Sequence, residues 1–255
     1  MNATSPTPSD RRTGEVLGAQ IDALSWADAM ARLLSWAHAH ESRYVTICNV
    51  HVVVSASRDQ EYRDIINGSD MATPDGAPVA WMLRRQGFAG QPRISGPDLM
   101  WALCERAAKE GLPIYCYGST EATLGLLDAR LREAFPGLRV TMESPPFRAL
   151  SAEEDAAAVK RINASGAGIV FVGLGCPKQE RWMAEQRGRI DAVMIGVGAA
   201  FHFHAGTVQR APAWMRENGL EWLHRLLSEP GRLWKRYLVT NTLFILGAAR
   251  QLLGK

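Results

Sequence analysis

Apolar positions in this chain follow two alternating rhythms. Residues 25–39 (SWADAMARLLSWAHA) carry apolar side chains at helical spacing behind a serine suited to capping, and the spacing predicts a helix. Residues 44–48 (YVTIC) are apolar almost throughout and predict a buried strand. The alternation continues. Helices are expected over 50–57, 78–85, 98–109, 118–135, 151–164 and from 180. Strands are expected over 113–117, 140–143, 168–173 and 192–197. Ser151 and Glu154 have capping-box spacing, and Pro78 falls in a first helical turn, where its missing N–H is tolerated. Fully apolar strands separated by helices imply a parallel sheet covered on both faces. The predicted fold is therefore a doubly wound α/β domain over residues 16–205, after a polar lead-in of residues 1–15 expected to be disordered. No internal repeat is visible.

In such sheets ligands bind beyond the carboxyl ends of the strands. Four segments sit there: 46–49, 117–120 (YGST), 173–179 (GLGCPKQ) and 196–203 (GVGAAFHF). Gly118, Ser119 and Thr120 put backbone N–H groups at a helix start, which suits either a phosphate or an ordinary N-cap. The 173–179 segment lacks GxGxxG and P-loop spacing, but Gly175 and Lys178 could form an anion loop. Gln179 reads either as a partner for sugar hydroxyls or as a first-turn surface residue. Asp75, between Pro74 and Gly76, reads either as a turn or cap residue or as a general base held on a rigid loop. His202 and His204 would share one face of a strand, but no third ligand is evident. Asp70 and Asp75 do not form a DxD-like pair, so no metal and no cofactor are expected.

Composition changes this picture little. The 255 residues carry 29 Lys plus Arg and 26 Asp plus Glu, a net charge of +3 that gives no reason to expect nucleic acid. Cys48, Cys104, Cys116 and Cys176 form no CxxC pair, and the reading is a reducing, cytoplasmic compartment. Neither a signal peptide nor a membrane span is expected. Charge placement is more informative. Residues 206–255 mix arginines with Trp214, Trp222 and Trp234, the pattern of an amphipathic appendage on an anionic membrane face. The stretch 237–253 is apolar but interrupted by Thr240-Asn241-Thr242, so it reads as lying on a bilayer. A pair of core helices with solvated arginines would give the same pattern.

Several motifs, in order, resemble the WecG/TagA/CpsF glycosyltransferases of bacterial surface-polysaccharide synthesis. They are TICNVHVV (46–53), TPDGAPVAW (73–81), RISGPDL (93–99), YGST (117–120), FVGLGCPKQERW (171–182), GVGAAFHFHAGTVQRAPAWM (196–215) and GLEWLHRLLSEPGRLWKRYL (219–238). The resemblance implies a Rossmann-like domain with a C-terminal appendage. It implies inverting, metal-independent transfer from a UDP-sugar (UDP-glucose, UDP-ManNAc or UDP-ManNAcA) to an undecaprenyl-pyrophosphate-linked saccharide, at the inner membrane face. It makes Asp75 the base, puts Thr46, Asn49 and Gln179 in its pocket, and sends Arg225, Arg232 and Arg236 to lipid or donor phosphate. Two positions depart from the family pattern: His202 stands where an aspartate is more usual, and TICN replaces TLN, which shifts Asn49 by one place. Two rival readings are a non-catalytic nucleotide-sugar-binding scaffold and a nucleotide-dependent dehydrogenase. The absent GxGxxG and the basic, Trp-rich tail oppose the second. The residues leave the oligomeric state open, a homo-oligomer included.

Overall fold

The structure is a computed structural model that describes residues 11–254, with the side chain of Arg232 outside the described part. It opens with a hairpin, β1 (Thr13–Val16) and β2 (Ala19–Asp22), joined at Leu17 and Gly18, both at positive φ. Two such residues make the tight turn whose twist matches paired strands. The ordered fold thus starts before residue 16. The expected lead-in overlaps β1, whose Val16 and Glu15 are held by the fold, and its first ten residues lie outside the described part.

Helix α1 (Trp26–His38) follows, capped by Ser25, and then β3 (Arg43–Cys48). Next come α2 (Val50–Arg58), α3 (Gln60–Asn67), β4 (Met71–Pro74), α4 (Ala77–Arg85) and α5 (Gly96–Glu110). The second half alternates regularly: β5 (Ile114–Gly118), α6 (Glu121–Ala134), β6 (Val140–Glu143), α7 (Ala152–Ala164), β7 (Ile169–Gly173), α8 (Lys178–Gln186) and β8 (Val193–Gly196). The Ser151–Glu154 capping box is present. The chain ends with α9 (Ala200–His204), α10 (Ala213–Glu217), α11 (Glu221–Ser228) and α12 (Pro230–Leu252).

Strands β3 to β8 form one parallel sheet in the order β4-β3-β8-β7-β5-β6. One face packs on α1, α5, α6 and α9 through Leu33, Leu103, Leu127 and Phe201. The other packs on α2 and α3 at one end and on α7 and α8 at the other. This is the Rossmann-like, doubly wound α/β architecture expected. The strand β4 was not anticipated from the sequence. It is an edge strand, and the hairpin guards it: Asp22 accepts from the Ala72 N–H at 2.6 Å, satisfying a donor that a bare edge would expose.

The appendage is joined to the domain rather than held apart from it. Phe244 and Ala248 of α12 are buried in the α2 core, and Gln251 bonds the Leu17 N–H and the Glu15 carbonyl. The Thr240-Asn241-Thr242 triplet does not interrupt α12. The Thr240 and Thr242 hydroxyls donate to the Arg236 and Leu238 carbonyls one turn back, so their polarity is absorbed within the helix. An adjoining face of α12 exposes Trp234, Leu238, Ile245 and Leu252. Among the described residues no helix is long and apolar enough to cross a membrane.

Candidate active site

The sheet reverses its winding between β5 and β7: α6 leaves β5 toward one face, and α8 leaves β7 toward the other. A cleft of about 870 Å³ opens at this point, beyond the strand ends, where open α/β sheets hold ligands. Two glycines make it possible. A Cβ on Gly118 would lie 2.6 Å from the Gly173 backbone, and one on Gly173 would strike the Phe201 ring at the same distance. Glycine at 118 lets the two strand ends close up, and glycine at 173 makes room for the Phe201 ring.

The cleft walls are apolar at Pro145, Pro146, Phe147, Leu150, Leu174 and Trp182, with Trp182 stacked on Tyr117 at 4.6 Å. Arg148, Lys178 and Arg225 bring positive charge to the lining. Gly175 stands at φ +79° with open space where a side chain would be. Ser119 resolves an open alternative. The capping of α6 is done by Thr120, whose hydroxyl accepts from the Thr123 N–H, while Ser119 takes a positive φ and its buried Oγ has no partner. A buried hydroxyl without a partner in a cleft wall is suited to a ligand. Arg225 stacks over Phe203 at 5.3 Å, and its buried Nε is likewise unpartnered. The buried Nε of Arg236 is unpartnered too. That guanidinium lies close to His51, where burial first and the Arg236 charge second push the imidazole pKa down.

Asp75 stands apart from this lining. It follows β4 directly, and its N–H donates to the Cys48 carbonyl, which places it beside Asn49 at the carboxyl edge of the sheet. Strands β3 and β8 separate β4 from β7, a span of roughly 14 Å at ordinary strand spacing. Arg93 Nε donates to Asp75 Oδ1 at 3.0 Å, and Arg93 Nη2 donates to Glu221 Oε2 at 2.5 Å. Burial pushes the Asp75 pKa up; the Arg93 charge pulls it back, the Glu221 charge raises it again, and the net shift is upward. The positive φ of Gly76, +84°, turns the chain from this carboxylate into α4.

Two expected site residues, Thr46 and Gln179, are buried and do not line the cleft. Thr46 is fully buried inside β3, and its hydroxyl donates to Ser69 Oγ at 3.3 Å, so it offers no surface to a ligand. Gln179 is buried below the cleft. Its Oε1 accepts from the Gly175 and Gly198 N–H groups at 3.2 and 3.1 Å, and its Nε2 donates to Glu180 at 2.8 Å. It braces the loops after β7 and β8 and is almost fully buried. The FHFH segment is helical, not a strand, so its histidines diverge: His202 bonds Thr207, and His204 stacks on Trp101 and bonds the Pro97 carbonyl. Asn49 is exposed and caps α2, accepting from the His51 and Val52 N–H groups. Arg232 lies, for its side chain, outside the described residues. Among the described residues no three His, Cys, Asp or Glu side chains cluster as a metal site requires.

Sequence reasoning missed Arg93 and Glu221. They meet across 128 positions, and no short-range spacing connects them. The one available signal was the RIS segment, which puts an arginine two residues before the N-cap Ser95.

A reversing parallel sheet, a cleft at its carboxyl end and a desolvated carboxylate at the same edge are the layout of a doubly wound α/β ligand-binding domain. The family model described as glycosyl transferase WecG/TagA/CpsF family matches residues 14–255, and the chain belongs to that family. It is a glycosyltransferase family of surface-polysaccharide synthesis, so the substrates are a sugar donor and an acceptor.

Proposed function

We propose that the protein transfers a sugar from a UDP-sugar to an undecaprenyl-pyrophosphate-linked saccharide, with inversion and without a metal, while docked on an anionic inner-membrane face. Asp75 is the general base. It takes the proton of the acceptor hydroxyl as that oxygen attacks the anomeric carbon, and the bond to the UDP oxygen breaks on the opposite side. The observation that carries this reading is the Asp75 carboxylate itself. It is desolvated, raised in pKa and fixed by Arg93 at the strand-end edge that also holds the cleft. A base works best when its pKa approaches the working pH, and burial moves Asp75 that way.

The cleft suits the nucleotide. Its apolar walls can take a base, Ser119 Oγ can meet a ribose or phosphate oxygen, and Lys178 and Arg225 can meet the diphosphate. An extended nucleotide diphosphate sugar is comparable in length to the span from β7 to β4, which would bring the anomeric carbon towards Asp75. Positive groups fixed where the departing diphosphate gains charge lower the barrier, and Arg236 from α12 extends that set. The exposed Trp234, Leu238 and Ile245 stripe, with Lys235 and Arg250 on the same helix, supports docking on a lipid surface.

One experiment tests the reading. Transfer is measured from a panel of UDP-sugars to lipid-pyrophosphate-linked saccharides in anionic vesicles, with EDTA, for wild type and Asp75→Asn. Product from one donor, lost in the variant, is expected, with the protein sedimenting with the vesicles. Full turnover by Asp75→Asn refutes the base, and protein left in the supernatant refutes the docking. UDP binding without transfer to any acceptor favours a scaffold.

A further inference from the structure

The Nε and Nη2 N–H groups of an arginine form one edge of a planar fork, and that edge ordinarily clamps a single carboxylate through two parallel bonds. In Arg93 the edge is divided. Nε serves Asp75 and Nη2 serves Glu221, so two carboxylates share one guanidinium. Glu221 belongs to α11 in the C-terminal segment, and α11 is held in place from its other side. Arg210 Nε stands 3.9 Å from Glu221 Oε1, and Arg210 and Arg216 both pair with Asp98 at the start of α5. All three side chains of the Asp75–Arg93–Glu221 array are at least three-quarters shielded from solvent.

We propose that Glu221 is a positioning residue for the transfer: it occupies half of the Arg93 fork, so that Arg93 holds Asp75 through one N–H instead of two. The proposal rests on the reading of Asp75 as base. It adds that the base is tuned from the appendage, and that the seating of α11 is a condition for chemistry at β4. With Glu221 in place, Asp75 keeps a fixed direction without being fully neutralised. Without it, the freed Nη2 N–H turns to Asp75, and the carboxylate becomes a weaker base. The charged groups facing Asp75 are Arg93 and Glu221, joined by the Gly76 backbone N–H. Those facing Glu221 are Arg93 and Arg210.

The test is the pH profile of kcat/KM for wild type, Glu221→Gln and Glu221→Ala, with Asp75→Asn as the reference for the base. Glutamine keeps an acceptor for Nη2 but removes the charge; alanine removes both. Loss of a negative charge at this range lowers a carboxylate pKa, so the acid limb is expected to move down by about one pH unit in Glu221→Gln. It should move at least as far in Glu221→Ala. The plateau should fall about threefold as the base weakens. Circular dichroism checks the fold, and if one variant does not fold, the other decides alone. An acid limb that stays at the wild-type pH overturns the proposal, whatever happens to the plateau. If Asp75→Asn is inactive and the limb does not move, the positioning role alone is refuted. If Asp75→Asn retains wild-type transfer, the base reading falls and takes this proposal with it.

Discussion

At the amino end of β4, Asp70 accepts from two guanidiniums through one oxygen, Arg43 at 2.8 Å and Arg187 at 2.7 Å, and from the Tyr44 N–H through the other. At the carboxyl end of the same four-residue strand, Asp75 shares a single guanidinium with a second carboxylate. Both aspartates are shielded and both are ion-paired, so burial and pairing alone do not distinguish them. The number of donors that reach each carboxylate directly does. Two guanidiniums and a backbone N–H make Asp70 a brace with both oxygens taken, although Arg43 also serves Glu41. At Asp75 one guanidinium is shared with Glu221, which Arg210 approaches only at 3.9 Å, so compensation at Asp75 is weaker and burial raises its pKa. The position on the sheet agrees with this division, because ligands reach the carboxyl ends and not the amino ends.

The sharpest way to break this comparison is to make the same substitution at both ends. Asp75→Asn keeps the shape and removes the base. Transfer is expected to fall by about 10²–10⁴-fold, the usual worth of a positioned general base, with thermal unfolding nearly unchanged. Asp70→Asn should do the reverse. It leaves Arg43 and Arg187 without their common partner and should cost about 1–3 kcal/mol in a urea titration, discounted because both arginines reach solvent. Turnover per folded molecule should stay near wild type. If Asp70→Asn lost turnover at full stability, the division of labour across β4 would be wrong.

Much of this was legible in the chain. The alternation of apolar runs gave the order of most helices and strands, because buried parallel strands need no polar face. The strand MATP was not anticipated, since four residues ending in proline between two aspartates match turn chemistry as well as an edge strand. The tight hairpin at Leu17-Gly18 lacked the usual asparagine or aspartate signal. At the site, Ser119 and Lys178 were suggested by local spacing, and Asp75 as base and Arg225 by the family resemblance; the structure puts Ser119, Lys178 and Arg225 around one cleft. Gln179 and Thr46 are buried behind the cleft instead of lining it, because a motif cannot say whether a polar side chain faces the ligand or the backbone behind it. Arg93 and Glu221 needed tertiary structure, as any pair 128 residues apart does.

A smaller effect separates the cleft from the β4 edge. Lys178→Ala and Arg225→Ala each remove one cation from the cleft lining and leave the Asp75 array alone. Each should weaken UDP binding about tenfold in calorimetry, the scale of one charge-assisted hydrogen bond. The pH of the acid limb should not move in either variant. A limb displaced by Lys178→Ala would mean that the cleft and the edge are one electrostatic unit.

The smallest expected effect concerns the clasp between α5 and the appendage. Desolvation acts to raise the Asp98 pKa, but hydrogen bonds from Arg210 and Ser95 and the charges of Arg210 and Arg216 outweigh it, and the net shift is downward. A carboxylate depressed in the folded state adds stability above its unfolded pKa, near 3.8, and loses it as pH falls through the folded value. Asp98 is 41% exposed, so solvent screening keeps the contribution below about 1 kcal/mol. Asp98→Asn should therefore lower the melting temperature slightly at neutral pH, and the difference from wild type should vanish in acid, below the folded pKa. Because Arg210 also approaches Glu221, a loosened clasp should let α11 lift from Arg93. The Asp98→Asn protein should then show a small downward displacement of the acid limb, in the direction expected for Glu221→Gln but weaker. A melting difference that persists unchanged in acid would show that Asp98 acts through packing, and would detach the clasp from the charge array at β4.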